Sequence, residues 1–166
     1  MSLSTSPLVS LSRGPEDGEA LWVMGGLYTY KAVLAETGAF FACEVKAPPG
    51  YAIPVHFHDD EEEGFYVARG EATIFLGDEA RRLRAGGFAL APRGTRHAFR
   101  LEAADTTLLL LLSGQHHEAM FREMGSAAPR RVVPPPAPAP DPARLGEIAG
   151  RHGTRIVGPP PLADER

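Results

Sequence analysis

Gly50-Tyr-Ala-Ile-Pro-Val-His56-Phe-His58-Asp-Asp-Glu-Glu-Glu63-Gly-Phe-Tyr-Val-Ala-Arg-Gly70 is the stretch that decides the fold. In a strand, residues i and i+2 project to the same face, so His56 and His58 point one way and Phe57 the other. Two imidazoles one pleat apart can share a metal ion, although a surface or core strand can carry the same pair. The acidic run that follows divides in two. Asp59, Asp60 and Glu61 read as a solvated turn between strands. Glu63 instead opens the apolar run Gly64–Ala68, and a carboxylate at the start of a buried strand must be paired or bound to a cation. Strand parity puts Glu63, Phe65 and Val67 on one face, the interior.

A second segment lies downstream, Gly86-Gly-Phe-Ala-Leu-Ala-Pro92-Arg-Gly94-Thr-Arg-His97. Pro92 and Gly94 make a turn, and His97 starts the strand leaving it. Around these two segments, short runs rich in β-branched or aromatic residues are bounded by Gly, Pro or acidic clusters. They predict strands over Leu21–Met24, Leu27–Val33, Phe40–Val45, Ile53–His58, Gly64–Ala68, Ala72–Leu76, Phe88–Ala91, Ala98–Leu101 and Thr106–Leu112. Many short strands without a helical period between them indicate a sandwich or barrel. Arg81, Arg82 and Arg84 form a local patch, read as a solvated strand or turn.

Helical signal comes late. Gln115–Met124 precedes Gly125, and Asp141-Pro142 opens Ala143–Arg151 with an N-cap and a first-turn proline. Phe121 and Met124, spaced i, i+3, could form the inner face of a helix over the barrel mouth, with His116 and His117 as exposed residues near its start. His152 reads as a surface histidine at a helix C-terminus. Between the two helices, Pro129–Pro142 favours extended polyproline II and marks the end of the core.

The spacing of the two histidine segments resembles the cupin superfamily. Its first motif is Gly, five residues, His-x-His, three or four residues, Glu, six residues, Gly; Gly50, His56, His58, Glu63 and Gly70 fit every interval. Its second is matched by Gly86, Pro92, Gly94 and His97, with Leu101 where the family has Asn. The resemblance implies an all-β double-stranded β-helix, or jelly-roll barrel, with short C-terminal helices. It also implies one divalent transition metal ion held by His56, His58, Glu63 and His97. Those ligand types accept Fe, Ni, Mn, Co, Cu or Zn. Three imidazoles and one carboxylate leave coordination positions open, so the site looks catalytic.

A wider resemblance, to bacterial quercetin 2,3-dioxygenase-like monocupins, runs from Gly18–Lys31 through Met120–Gly125 to Ile156–Pro160. It implies O2-dependent cleavage of a flavonol or other aromatic enol with release of carbon monoxide. Glu63 would both bind the metal and accept the substrate's hydroxyl proton. Tyr51, Phe65, Phe75 and Phe99 are candidates to sandwich an aromatic substrate, or are simply core aromatics. The same ligands could serve a non-redox polyketide cyclase or isomerase, or a binding module without turnover. Trp22 is expected to anchor the barrel or a dimer interface, and a homodimer follows from the resemblance.

The domain plan is an N-terminal arm over 1–19, a barrel with its following helix over 20–126, and a Pro-rich linker with a helical tail over 127–166. The 166-residue chain has a net charge of -4, which argues against nucleic acid and anionic membrane as partners. Met1–Pro7 lacks the basic and apolar regions of a signal peptide, and Leu108–Leu112 is far short of the ~20 residues of a membrane span, so the expected location is cytoplasmic. The single cysteine, Cys43, lies in an apolar-rich stretch and reads as a buried structural thiol.

Overall fold

Alternating burial marks the barrel walls. The strand Thr107–Leu112 turns Leu108, Leu110 and Leu112 inward and leaves Thr107, Leu109 and Leu111 partly exposed. The computed structural model describes residues 10–114 and 116–162. The N-terminal reading of Met1–Pro7, the first residue of the expected helix at Gln115 and the last four residues of the tail lie outside them.

In chain order the strands are β1 (Ala20–Val23), β2 (Gly26–Ala32), β3 (Phe41–Lys46), β4 (Val55–His58), β5 (Glu63–Arg69), β6 (Glu71–Leu76), β7 (Glu79–Arg84), β8 (Phe88–Ala91), β9 (His97–Leu101), β10 (Thr107–Leu112), β11 (Ser126–Ala127) and β12 (Thr154–Gly158). The helices are α1 (Leu34–Thr37), α2 (His116–Met124) and α3 (Pro142–Arg151). One sheet has the order β11-β1-β2-β3-β10-β5-β8, the other β12-β4-β9-β6-β7. Their inner faces enclose Tyr28, Tyr30, Phe41, Val45, Phe65, Val67, Ile74, Phe99 and Leu101. Cys43 is fully buried among them, and burial pushes its thiol well up. Among the described residues no helix is long and apolar enough to cross a membrane.

The expected strands are present, with ends moved by one or two residues. The arginine patch is β7, a solvent-facing edge strand held to β6 through Glu71, which pairs with Arg82 at 2.8 Å and with Arg84 at 3.4 Å. Trp22 anchors this chain's own fold: its indole N–H donates to the Val132 carbonyl at 2.8 Å, and β1 pairs with β2 and β11. The tail returns to the barrel. After α3, capped by Asp141 accepting from the Ala143 amide, Gly153 takes φ 68° and β12 pairs antiparallel with β4, Thr154 opposite His58 and Ile156 opposite His56. The C-terminal segment therefore forms the strand next to the two leading histidines.

Candidate metal centre

Three strands deliver the four side chains. On β4, His56 and His58 face inward on alternate positions, 7% and 1% exposed. Glu63, 2% exposed, is the first residue of β5, where it lies opposite Leu112 and Ala91. His97 starts β9 opposite His56. The turn before it is tied to the site: the Gly94 amide donates to the His58 carbonyl at 2.8 Å, with Gly94 at φ 76°. That left-handed position and the Pro92 turn set where His97 emerges.

The donor atoms converge. Glu63 Oε2 lies 3.0 Å from His58 Nε2, 2.9 Å from His97 Nε2 and 3.9 Å from His56 Nε2. One ligand atom from each residue falls within 4.8 Å of every other. The far side of each ring is also engaged. His56 Nδ1 lies 2.8 Å from the Pro54 carbonyl, and His97 Nδ1 lies 2.7 Å from the Thr95 carbonyl. His58 Nδ1 lies 3.0 Å from the Thr154 hydroxyl.

These partners test whether a cation fits. A carbonyl oxygen can only accept, so Nδ1 of His56 and of His97 carries the proton. In a neutral ring Nε2 then presents a lone pair, and these lone pairs point at a carboxylate oxygen. Burial lowers the pKa of His56, and it drives that of His58 from 6.5 to about 4, so neutral rings are favoured there at neutral pH. Lone pairs facing an anion repel unless a cation occupies their focus. The buried cluster thus fits a cupin metal site, with its ring orientations fixed from behind as metal-binding histidines require.

Behind His58 stands a second pair that the sequence reading placed in solvent. Glu61, expected in a solvated turn, is 1% exposed, and His117, expected at the surface, is 3% exposed. Glu61 Oε2 makes a short hydrogen bond with His117 Nδ1, and Oε1 accepts from the His116 amide at 2.7 Å. The His117 ring stands edge-on to His58, centroids 4.3 Å apart. Asp59 and Asp60 are exposed as expected, paired with Arg155 and His116. Glu61 turns inward because a glycine gives it room: a Cβ at Gly114 would sit 2.1 Å from Glu61 Oε1. The signal for His117 was periodicity, since His117, Met120, Phe121 and Met124 share one helix face at i, i+3, i+4 and i+7. For Glu61 and Thr154 there was no local signal, because their partners lie 56 and 96 residues away.

The cluster opens on a narrow cavity of about 40 Å³ between the barrel and α2. His56, Glu63, Phe99, His117, Met120 and Phe121 are among its walls, with Met24, Tyr28 and Ile156. Of the four aromatic candidates, Phe99 lines it. Phe65 is fully buried, its ring 5.7 Å from that of His97. Tyr51 borders a separate groove beside Pro142 and Leu145, its hydroxyl 3.0 Å from that of Tyr28. Phe75 lies under the Arg100 guanidinium at 5.5 Å, away from the cavity.

Comparison with known proteins agrees with this geometry. A family described as "Cupin domain" matches residues 43–113, which include all four clustered residues. Quercetin 2,3-dioxygenase of Bacillus subtilis is 27% identical over 122 residues, covering 72% of this chain. The match spans 36% of that enzyme's length. Among solved structures, KdgF from Halomonas sp. is 26% identical with a TM-score of 0.53, covering 57% of this chain and 85% of that one. The polyketide cyclase RemF from Streptomyces resistomycificus is 20% identical with a TM-score of 0.53, covering 63% and 79%. A Streptomyces nucleoside dehydratase is 16% identical with a TM-score of 0.54, covering 76% and 95%. These last two likenesses speak to the fold alone. The cupin-domain match over residues 43–113 agrees with the β-barrel and its buried cluster, and the chain resembles quercetin 2,3-dioxygenase.

Proposed function

We propose that this protein is a metal-dependent dioxygenase of the quercetinase kind, cleaving a flavonol or other aromatic enol with O2. The observation that carries the metal is the focus of imidazole nitrogens on Glu63 Oε2 at the foot of an apolar cavity. The likeness to quercetin 2,3-dioxygenase over 72% of the chain supports the reaction class.

A divalent transition metal held by His56, His58, Glu63 and His97 would supply Lewis acidity toward a substrate hydroxyl and redox capacity toward O2. The protein's own share is positioning and proton handling. Glu63 meets the histidines through Oε2, and among the described residues no group hydrogen-bonds its Oε1. We assign Oε1 as acceptor of the substrate's hydroxyl proton, the geometry a general base needs. Phe99, Met120 and Phe121 present apolar surface to an aromatic ring and keep bulk water from the site. The proposal includes a homodimer and a cytoplasmic location, in keeping with one buried, unpaired cysteine.

Metal content of the purified protein is the first test, followed by oxygen uptake with quercetin for each reconstituted metal. About one redox-active ion per chain, with oxygen consumption and carbon monoxide release, supports the proposal. Zinc without oxygen uptake moves the chemistry to a cyclase or isomerase. Glu63→Gln and His58→Ala should each lose most of the bound metal, and a His58→Ala protein that keeps a full complement shows that the site is misplaced.

A further inference from the structure

His117 lies outside the four-residue cluster, on a helix rather than on the barrel. Its imidazole is held from behind by Glu61, which is itself fixed by the His116 amide and by the space that Gly114 leaves. Nδ1 faces a carboxylate, which can only accept, so Nδ1 carries the ring's proton. Nε2 is the remaining polar atom, and among the described residues nothing hydrogen-bonds it. The residue is 97% buried, by its 3% exposure, and lines the cavity. With the proton of a neutral ring on Nδ1, Nε2 is the lone-pair nitrogen, on a residue that lines the cavity.

The other polar side chains of that wall are spoken for. The Tyr28 hydroxyl meets that of Tyr51, and the Thr154 hydroxyl meets His58 Nδ1. His56 and Glu63 belong to the cluster. Apart from the cluster, whose Glu63 takes the substrate's proton, the wall is apolar with one oriented acceptor. A site of that kind selects a ligand with an apolar body and a matching donor, because a ligand lacking the donor leaves the buried acceptor unpaired.

We infer that His117, oriented by Glu61, is a substrate-binding residue whose Nε2 accepts a hydrogen bond from a hydroxyl of an aromatic substrate. The inference rests on reading the cluster as the centre of a small-molecule site. It does not require that the reaction use O2. It goes beyond that reading in giving the α2 helix a polar contact to the ligand.

The test uses zinc-loaded full-length protein, which is redox-silent, and two probes, 2-naphthol and its methyl ether. Calorimetry gives the ratio of their affinities in wild type, His117→Phe and His117→Gln. The naphthol preference should fall about tenfold in His117→Phe, the loss of one buried hydrogen bond, and stay within about threefold of wild type in His117→Gln, which keeps an acceptor. A purely structural role would weaken both probes equally and leave the ratio unchanged, and that result overturns the inference. So does failure of the wild type to bind either probe. Should His117→Phe not fold, nitrogen-15 spectra of the wild type decide: the His117 Nε2 resonance should shift with 2-naphthol and stay in place with the ether, and equal behaviour with both overturns the assignment. Quercetin turnover is scored separately. Its absence, with the naphthol ratio as expected, removes the dioxygenase reading and leaves His117 in its role.

Discussion

His56 and His97 give their Nδ1 protons to carbonyls two positions earlier in sequence, those of Pro54 and Thr95, so their orientation is built into the local backbone. His58 depends instead on a side chain, the Thr154 hydroxyl at 3.0 Å. Thr154→Val keeps the shape and removes that partner; metal affinity should fall roughly 10–100-fold, as for lost outer-shell partners elsewhere, while Thr154→Ser retains it. Competition with a chelator measures this, and an unchanged Thr154→Val affinity means that His58 needs no such support. Acid should act on the same atoms. The folded pKa of His58, about 4, lies below its ordinary 6.5, so as pH falls the unfolded chain takes up the proton first. The stability contributed by neutral His58 is complete above pH 6.5 and is lost progressively toward pH 4. Metal competes with the same protons, so bound metal should decline over that range too. Urea midpoints and metal content at stepped pH would show it, and a flat profile down to pH 4 would contradict it. At this scale the four clustered residues were legible because spacing along strands encodes them. Glu61, His117 and Thr154 were not, since contacts made across the fold leave no fixed interval in the chain.

Strands were easier to read than their neighbours. Short runs bounded by Gly, Pro or acidic clusters predicted β4, β5 and β10, and in β4 and β10 buried positions alternate with partly exposed ones. β12 carries no such pattern on its own and becomes a strand through pairing with β4, while α1 is a single turn ended by Gly38 at φ 68°. The α2 helix covers the cavity through Phe121, 5% exposed, whose ring meets Tyr28 at 4.9 Å, His117 at 5.4 Å and Phe41 at 6.2 Å. Tyr30 fixes the helix start by donating to the Glu118 carbonyl at 2.7 Å. Phe121→Ala should cost about 3–5 kcal/mol of stability if the gap stays open, and less if Met120 and Met124 relax into it. Bound metal should be unchanged, because the ligands stand on β4, β5 and β9. Chemical denaturation with metal analysis separates these effects. Metal loss at full stability would reverse the assignment, showing that α2 shapes the centre and not merely its cover. A flavonol is far larger than about 40 Å³, so its entry requires α2 or the β12 side of the cavity to yield.

At the scale of the whole molecule, the β10-β5-β8 end of the seven-stranded sheet carries an exposed apolar patch on its outer face. Register aligns Leu109, Tyr66 and Phe88 in one row and Leu111, Gly64 and Leu90 in the next. Phe88 is 55% exposed, Leu90 50% and Tyr66 39%. The Phe88 ring lies over Gly64, where an added Cβ would approach it to 3.1 Å, so the patch is flat. β8 is also an end strand of its sheet, with backbone groups on one side unpaired within the sheet. An apolar patch on an open sheet edge is a feature that soluble proteins cover by association. A twofold partner laying the same rows against these would bury both patches, since a closed dimer uses one surface twice. The protein should therefore sediment as a dimer, and Phe88→Glu with Leu90→Lys should yield a monomer. Those side chains leave the barrel interior untouched, so the double variant should keep its metal. A wild-type monomer at micromolar concentration, or a double variant that remains dimeric, would place the interface elsewhere. Loss of metal on dissociation would carry a different meaning, because β5 bears both Tyr66 on the outer face and Glu63 at the centre, and the dimer would then be part of what holds the site together.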